Sequence, residues 1–438
     1  MARGFAARQP IPLSSPDDFR ITWHKLNQAS YSIKDAEIIL PPGDWILTNQ
    51  VTIPNGIRAV RGSGIGKTRL FMDGGASKVV TSIVLRDLYG LEISDMSIIQ
   101  LNRADTQVAM IYGLNAKCVT LKRLRIETQD KGSAIYFTAT AGQGNCGNIL
   151  IEDCDIFAPR EQPEHLGGLD STGQEVIRFT SAMASPGVPS QLWKASKTWR
   201  QYTDRLTNVT VRRVRVDGGY YAVGCSGIDS MRIEDCSFTN PTRGVSLQDG
   251  CRGAYVARNI IRDQRSSGIH MAYGTSGCLI ERNIVMSARA EGEGFIQCYT
   301  GATDNVIQDN RLIQVPNQNG TDGAELRPKW FLYVGTHAHR NTFWRNAIEG
   351  KAARAAVAIE NEWPNNTTQK PSRSFNGAGW DFTGFAAEAL KGVFLLDNDI
   401  PPQDPGVPRL FLSTGATITA GPEVFGNDDE AFPVVTKL

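Results

Sequence analysis

Residues 231–286 read MRIEDCSFTNPTRGVSLQDGCRGAYVARNIIRDQRSSGIHMAYGTSGCLIERNIVM. One nine-residue phrase occurs three times in this stretch: MRIEDCSFT (231–239), AYVARNIIR (254–262) and CLIERNIVM (278–286). Each version alternates apolar and polar side chains and then turns, and period two means strand. The phrase recurs on both sides, as LEISDMSII (91–99), VTLKRLRIE (119–127), ILIEDCDIF (149–157), VTVRRVRVD (209–217), NVIQDNRLI (305–313) and NTFWRNAIE (341–349). Its third positions are Ile93, Leu121, Ile151, Val211, Ile233, Val256, Ile280, Ile307 and Phe343. A repeat of roughly 22–28 residues suits one turn of a solenoid.

The sixth position holds Met96, Leu124, Cys154, Val214, Cys236, Asn259, Asn283, Asn310 and Asn346. Four successive Asn at one register predict a ladder of amides bonded along the stack. Cys154 and Cys236 share that register and are expected to be packing residues. The chain has eight cysteines and no C-x-x-C pair, so buried free thiols are expected rather than a disulfide framework.

A second strand set lies between the first: AIYFT (134–138), YAVGC (221–225), GVSLQ (244–248), GIHMA (268–272) and GFIQC (294–298). Short strands separated by Gly and polar bends describe an all-β chain, a right-handed parallel β-helix. These repeats resemble the pectate-lyase-like β-helix superfamily over about 41–362. The run ILPPGDWILTNQVTIPNGIRAVRGSGIGKTRL (39–70) resembles the first coil in that superfamily, and such starts are common in phage tail spikes and polysaccharide lyases. The resemblance implies a groove on the outer face suited to a linear polysaccharide, though this fold hosts many activities and inert scaffolds. The N-T-D and G-H-G signatures of polygalacturonase-like enzymes are absent, as are those of pectate lyases (W-x-D-H) and alginate epimerases (D-P-H-D).

Three parts are expected: an N-terminal segment (1–40), the β-helix (41–362), and a degenerate last coil with a C-terminal cap or subunit-contact segment (363–438). Ser15-Pro16-Asp17-Asp18 reads as a helix start, and Phe19, Trp23 and Leu26 then share one face. Such a helix would cap the open end of the solenoid.

The whole chain has 438 residues, 41% hydrophobic and 21% charged, enough to bury a core. A net charge of +1 does not fit a strongly basic nucleic-acid binder. No apolar run reaches membrane-span length, and MARGFAARQPIPLSS lacks the apolar stretch of a signal peptide. GSGIGKT (62–68) has Arg61 where a Walker loop needs its first Gly, so a tight bend is expected there. His337-Ala338-His339 has no further ligand at metal spacing, and no metal or cofactor is expected.

Alternation in the second strand set places Val223, Cys225, Val245, Leu247, Ile269, Met271, Ile296 and Cys298 inward. Gly224, Ser246, His270 and Gln297 then point outward, with Ser226, Gln248, Ala272 and Tyr299 in the next row and Asp249 and Tyr273 at the bend. Catalytic candidates are His270, Asp249, Tyr273, Glu291 and Glu293. His or Tyr could serve as a base, and Asp249 with Glu291 or Glu293 could form a hydrolase pair. Substrate-binding candidates around them are Gln248, Gln297 and Tyr299. The long step from Ile151 to Val211 carries an insert (158–205) that holds Glu175 and contributes Arg178, Trp193, Trp199, Arg200 and Tyr202. Arg327 and Lys329 complete the set.

The expected function is a phage tail spike or tail fibre. It would bind and depolymerise a host surface polysaccharide as a homotrimer, alongside other virion tail proteins. The alternatives are a free-standing lyase or uronate epimerase, secreted or periplasmic, and a non-catalytic glycan-binding β-helix.

Overall fold

The computed structural model describes residues 9–12, 35–75, 82–102, 109–129, 132–140, 142, 146–159, 175–181, 204–288, 294–299, 301–315, 327–335, 338–360, 392–412, 418–420 and 435–437. The helix expected from Ser15 lies outside these residues. The described elements are all strands, and every strand pairing is parallel. Among the described residues no helix is long and apolar enough to cross a membrane.

Three strand ladders run through the described coils. The first contains the repeat anchors: Ile93 pairs with Leu121, Leu121 with Ile151, Ile151 with Val211 and Val211 with Ile233. The second holds the other half of each phrase, as where Phe238 pairs with Ile261 and Ile261 with Val285. In Tyr89–Gln100 and Lys117–Glu127 one long strand spans both ladders. The third ladder is a separate sheet of twelve strands that holds the second strand set. The chain is thus a right-handed parallel β-helix with three faces. Two strands of the tail join it: Val393–Leu396 pairs with Thr342–Trp344, and Leu410–Leu412 with Val357–Ile359.

Alternation puts one side chain of each pair inside, and these form one continuous core through the described coils. Phe137 and Phe179 stack at 6.1 Å, and Phe295 meets Phe331 edge-on at 5.1 Å. Dispersion among such closely packed groups adds to the stabilisation from burial.

The Asn ladder is present and longer than the repeat suggests. Oδ1 of Asn259, Asn283, Asn310, Asn346 and Asn398 accepts the backbone N–H of Cys236, Asn259, Asn283, Asn310 and Asn346, at 2.9–3.1 Å. Nδ2 of these five Asn donates to the carbonyls of Ile233, Val256, Ile280, Ile307 and Phe343, and those of Asn259, Asn283, Asn310 and Asn346 also reach the next amide. A second, shorter ladder joins Cys278, Asn305 and Asn341. A polar side chain inside a solenoid is tolerated because its donors and acceptors are met there.

The corner before each ladder residue takes a left-handed backbone. Asp95, Arg123, Asp153, Arg213, Asp235, Arg258, Asp309 and Arg345 all have φ between 49° and 63°. Arg is a poor residue for that conformation, which costs roughly 1–2 kcal/mol. Stacked coils place it on an Asp one layer away, and the pairs Arg123–Asp95, Arg213–Asp153, Arg258–Asp235 and Arg345–Asp309 are bidentate.

In the GSGIGKT bend the Thr68 hydroxyl donates to the carbonyls of Leu40 and Pro41. A side chain on Gly62 would collide with the Asp95 carbonyl, so glycine is needed for close coil contact.

All eight cysteines are free thiols, and all but Cys118 are buried. Burial pushes Cys154, Cys236, Cys251 and Cys278 up to about 12. A thiol reagent added to the native protein is therefore expected to label Cys118 alone, read by intact and peptide mass. Rapid native labelling of Cys154 or Cys236 would contradict this packing.

Candidate functional site on the third face

The third ladder builds a continuous outward row by strand register. Tyr112 pairs with Tyr136, then come Arg178, Gly224, Ser246, His270, Gln297, Tyr333 and Ala358, one per coil. Their strand neighbours Ile177, Val223, Cys225, Val245, Leu247, Ile269, Met271, Ile296 and Cys298 are core residues, as alternation requires. Parallel coils lie about 4.8 Å apart, so successive side chains of the row stand within reach of one another.

The middle of the row is polar and enclosed. His270 is only 3% exposed although it faces away from the core, and Gln297 is 2% exposed. The His270 Nδ1 lies 3.4 Å from the Ser246 hydroxyl, and Gln248 donates to that hydroxyl at 2.8 Å. At the bend Asp249 and Tyr273 stack in the left-handed region, with φ of 52° and 54°. A bulky residue such as Tyr is rarely found there. Asp249 is buried too. Burial raises its carboxyl to about 6; a hydrogen bond from Ser226 opposes the rise and the charge of Glu175 adds to it.

Glu175 opens the strand Glu175–Thr180, which pairs with Tyr221–Ser226. Its carboxylate meets the Arg178 guanidinium at 2.9 Å. Burial raises its pKa, and the charge of Arg178 opposes the rise. Tyr221, opposite Glu175 in register, accepts a hydrogen bond from Arg243 at 3.1 Å. Burial raises the Tyr221 hydroxyl well above the ordinary tyrosine range.

Aromatic rings flank this polar centre on both sides along the axis. On one side Tyr112 and Tyr136 lie 5.5 Å apart, with Arg178 4.8 Å over Tyr136. On the other, His270 meets Tyr299 at 5.7 Å, Tyr299 meets Tyr333 at 6.0 Å, and Tyr333 meets Trp330 at 5.9 Å. Lys329 and Arg354 both lie against the Trp330 ring.

The structure therefore brings together Asp249, Gln248, His270, Gln297, Tyr299 and Arg178, with Tyr273 at the same bend. Lys329 joins the aromatic end. Arg327 does not enter the row, because it pairs with Asp404, which also takes Lys351. Glu291, Glu293, Trp193, Trp199, Arg200 and Tyr202 lie outside the described residues. The expected pairing of Asp249 with Glu291 or Glu293 therefore lies outside the described residues too, and among the described ones the acidic side chain that acts on Asp249 is Glu175. Sequence reasoning placed Glu175 only in the insert. The available signal was EVIRFT (175–180), a period-two strand in the middle of a stretch without the repeat phrase.

A depression at another corner, lined by Asp153, Arg213, Asp235 and Arg258, belongs to the Asp–Arg stack, and these four side chains are paired with one another.

A family model described as periplasmic copper-binding protein (NosD) matches residues 190–378, less than half of the chain. Among solved structures, the Agl-KA catalytic domain aligns with 96% of this chain and 69% of its own, at 12% identity and a TM-score of 0.59. The tailspike protein of E. coli bacteriophage HK620, in complex with a pentasaccharide, aligns with 98% of this chain and 76% of its own, at 10% identity and 0.57. The Pseudomonas phage phi297 tailspike gp61 aligns with 91% of this chain and 76% of its own, at 12% and 0.52. The chain is a parallel β-helix protein. No curated protein matches its sequence. Among the described residues no three His, Cys, Asp or Glu side chains stand together as metal ligands.

Proposed function

We propose that this β-helix binds a polysaccharide along its third face and hydrolyses it with Asp249 and Glu175. The observation that carries the proposal is the acidic pair on the outward side of the sheet, with Asp249 buried and raised to about 6 and the Glu175 side chain 14% exposed against Arg178. A carboxyl with that acidity keeps its proton in mildly acid solution and can give it to a leaving oxygen. Glu175 faces Arg178, which favours its ionised form. In the reaction Asp249 protonates the glycosidic oxygen as its bond to the anomeric carbon breaks. Glu175 either takes the proton of the water that adds to that carbon or attacks the carbon itself. Inversion would indicate the first route and retention the second.

Tyr112 and Tyr136 on one side, and Tyr299 and Tyr333 on the other, offer ring faces to sugars along the axis. His270, Gln248, Gln297 and Ser246 offer hydrogen bonds to hydroxyls. Tailspikes among the structural neighbours favour a host surface polysaccharide as substrate, and with it a homotrimer on a virion tail beside other tail proteins.

The test is to incubate the protein with a panel of acidic and neutral bacterial polysaccharides across pH. The expected result is new reducing ends, with activity lost as pH rises through about 6 and Asp249 gives up its proton. An unsaturated uronate product would instead mean elimination, with His270 or Tyr273 as base. Binding without any cleavage would favour the non-catalytic reading.

A further inference from the structure

Gly224 is the one member of the outward row from Tyr112 to Tyr333 without a side chain. It lies inside the strand Tyr221–Ser226, where its backbone does not need glycine, since it is not among the positive-φ residues. Glycine in a strand interior weakens the strand and often marks a close approach of another group. Here that group is identifiable. A Cβ on Gly224 would stand 2.6 Å from Cδ of Glu175, 2.8 Å from its Cγ and 3.0 Å from its Oε1. All three nearest atoms belong to this one flexible side chain, and no backbone atom is among them. The space left by the missing side chain is filled by the Glu175 carboxyl.

We infer that Gly224 is a positioning residue: it leaves a notch that seats the Glu175 carboxyl against the third face, beside Arg178 and within electrostatic reach of Asp249. This rests on the assignment of the acidic pair above and adds what fixes its geometry. The register explains the reach. Glu175 starts its strand opposite Tyr221, while Arg178 stands opposite Gly224. The Glu175 side chain must therefore run along the strand to meet Arg178, and that path crosses the Gly224 position. Any larger residue there would lift the carboxyl off the sheet. The negative charge beside Asp249 would be lost, and Asp249 would release its proton at lower pH.

The experiment uses the full chain with 13C-labelled aspartate, the Asp249 carboxyl signal being identified by its loss in Asp249→Asn. In the wild type this signal should titrate near 6. In Gly224→Ala the midpoint should fall by about one unit, and Glu175→Gln should produce a similar fall. Combining the two should add nothing, because both remove the same interaction. Thermal unfolding of Gly224→Ala should stay close to wild type, since the added methyl displaces a side-chain end. If that variant does not fold, Glu175→Asp withdraws the carboxyl without touching Gly224 and should give the same downward shift.

A midpoint that falls in Glu175→Gln but stays put in Gly224→Ala and Glu175→Asp overturns the notch. A midpoint unmoved in every variant overturns it as well, because the two carboxyls are then not coupled. A correct titration pattern in a protein that cleaves no polysaccharide leaves the notch standing and removes the proposed function instead.

Discussion

Replacing Asp249 by Asn should abolish cleavage while making the protein more stable at neutral pH. The two effects share one cause. Asp249 is buried, and its carboxyl is raised to about 6 mainly because burial penalises the charge. A group whose folded pKa lies above its unfolded one binds its proton more tightly in the fold. Stability from this site is therefore fully present below about pH 4. It falls as pH rises toward 6 and stays reduced above that. A shift of this size corresponds to a few kcal/mol, on the order of 2 after allowance for the coupling to Glu175. Asn carries no charge and escapes the penalty. The denaturation midpoint of Asp249→Asn should thus exceed that of wild type at pH 7 and converge with it near pH 4. Cleavage should drop by at least about a hundredfold, the usual contribution of a positioned proton donor. Polymer binding should persist, because the row around His270 and Tyr299 is untouched. A variant no more stable than wild type at pH 7 would mean that the carboxylate is well solvated or paired after all.

The second large effect is expected inside the coil. Asn310→Ala should cost about 3–5 kcal/mol, read as a lower guanidinium midpoint and faster proteolysis. Asn310 meets the Asn283 N–H and Nδ2 through its Oδ1, and donates from Nδ2 to the Ile280 carbonyl and to Asn346. Removing it leaves these buried groups unpaired, and each unsatisfied group costs about 1–3 kcal/mol. Arg345→Ala, at the corner next to the same ladder, serves as the comparison. Its pair with Asp309 is half exposed, so screening limits the loss to about 1 kcal/mol or less. Equal losses in the two variants would mean that the amide ladder does not carry the stability assigned to it.

The fold was legible because a solenoid repeats its solution. Alternation in MRIEDCSFT and its copies marked strands, and Asn259 to Asn346 marked a polar ladder at one register. The same alternation separated inward Val223, Val245, Ile269 and Ile296 from outward Ser246, His270 and Gln297, and the coil keeps that division. Asn398 escaped notice because its phrase, LLDNDI, follows a stretch in which the repeat has faded. The Asp–Arg corner was not legible because Arg in a left-handed conformation runs against its propensity. Only stacking, which places Arg213 on Asp153, makes it favourable.

The candidate site was half legible. Asp249 and His270 followed from period two, which is local. The partnership of Asp249 with Glu175 depends on one strand in the middle of a long insert falling into register with YAVGC, and the repeat gives no hint of that. Gly224 is the clearest case. In sequence it is one glycine among 43, and its meaning appears only when the Glu175 carboxyl is seen lying across it.

The most direct test of the account compares wild type with Asp249→Asn on a polysaccharide that the wild type binds, following reducing ends and unsaturated uronate together near pH 5. The account predicts that wild type releases reducing ends without unsaturated product and that the variant binds equally well but releases none. Unsaturated product from wild type, or undiminished cleavage by Asp249→Asn, would contradict it.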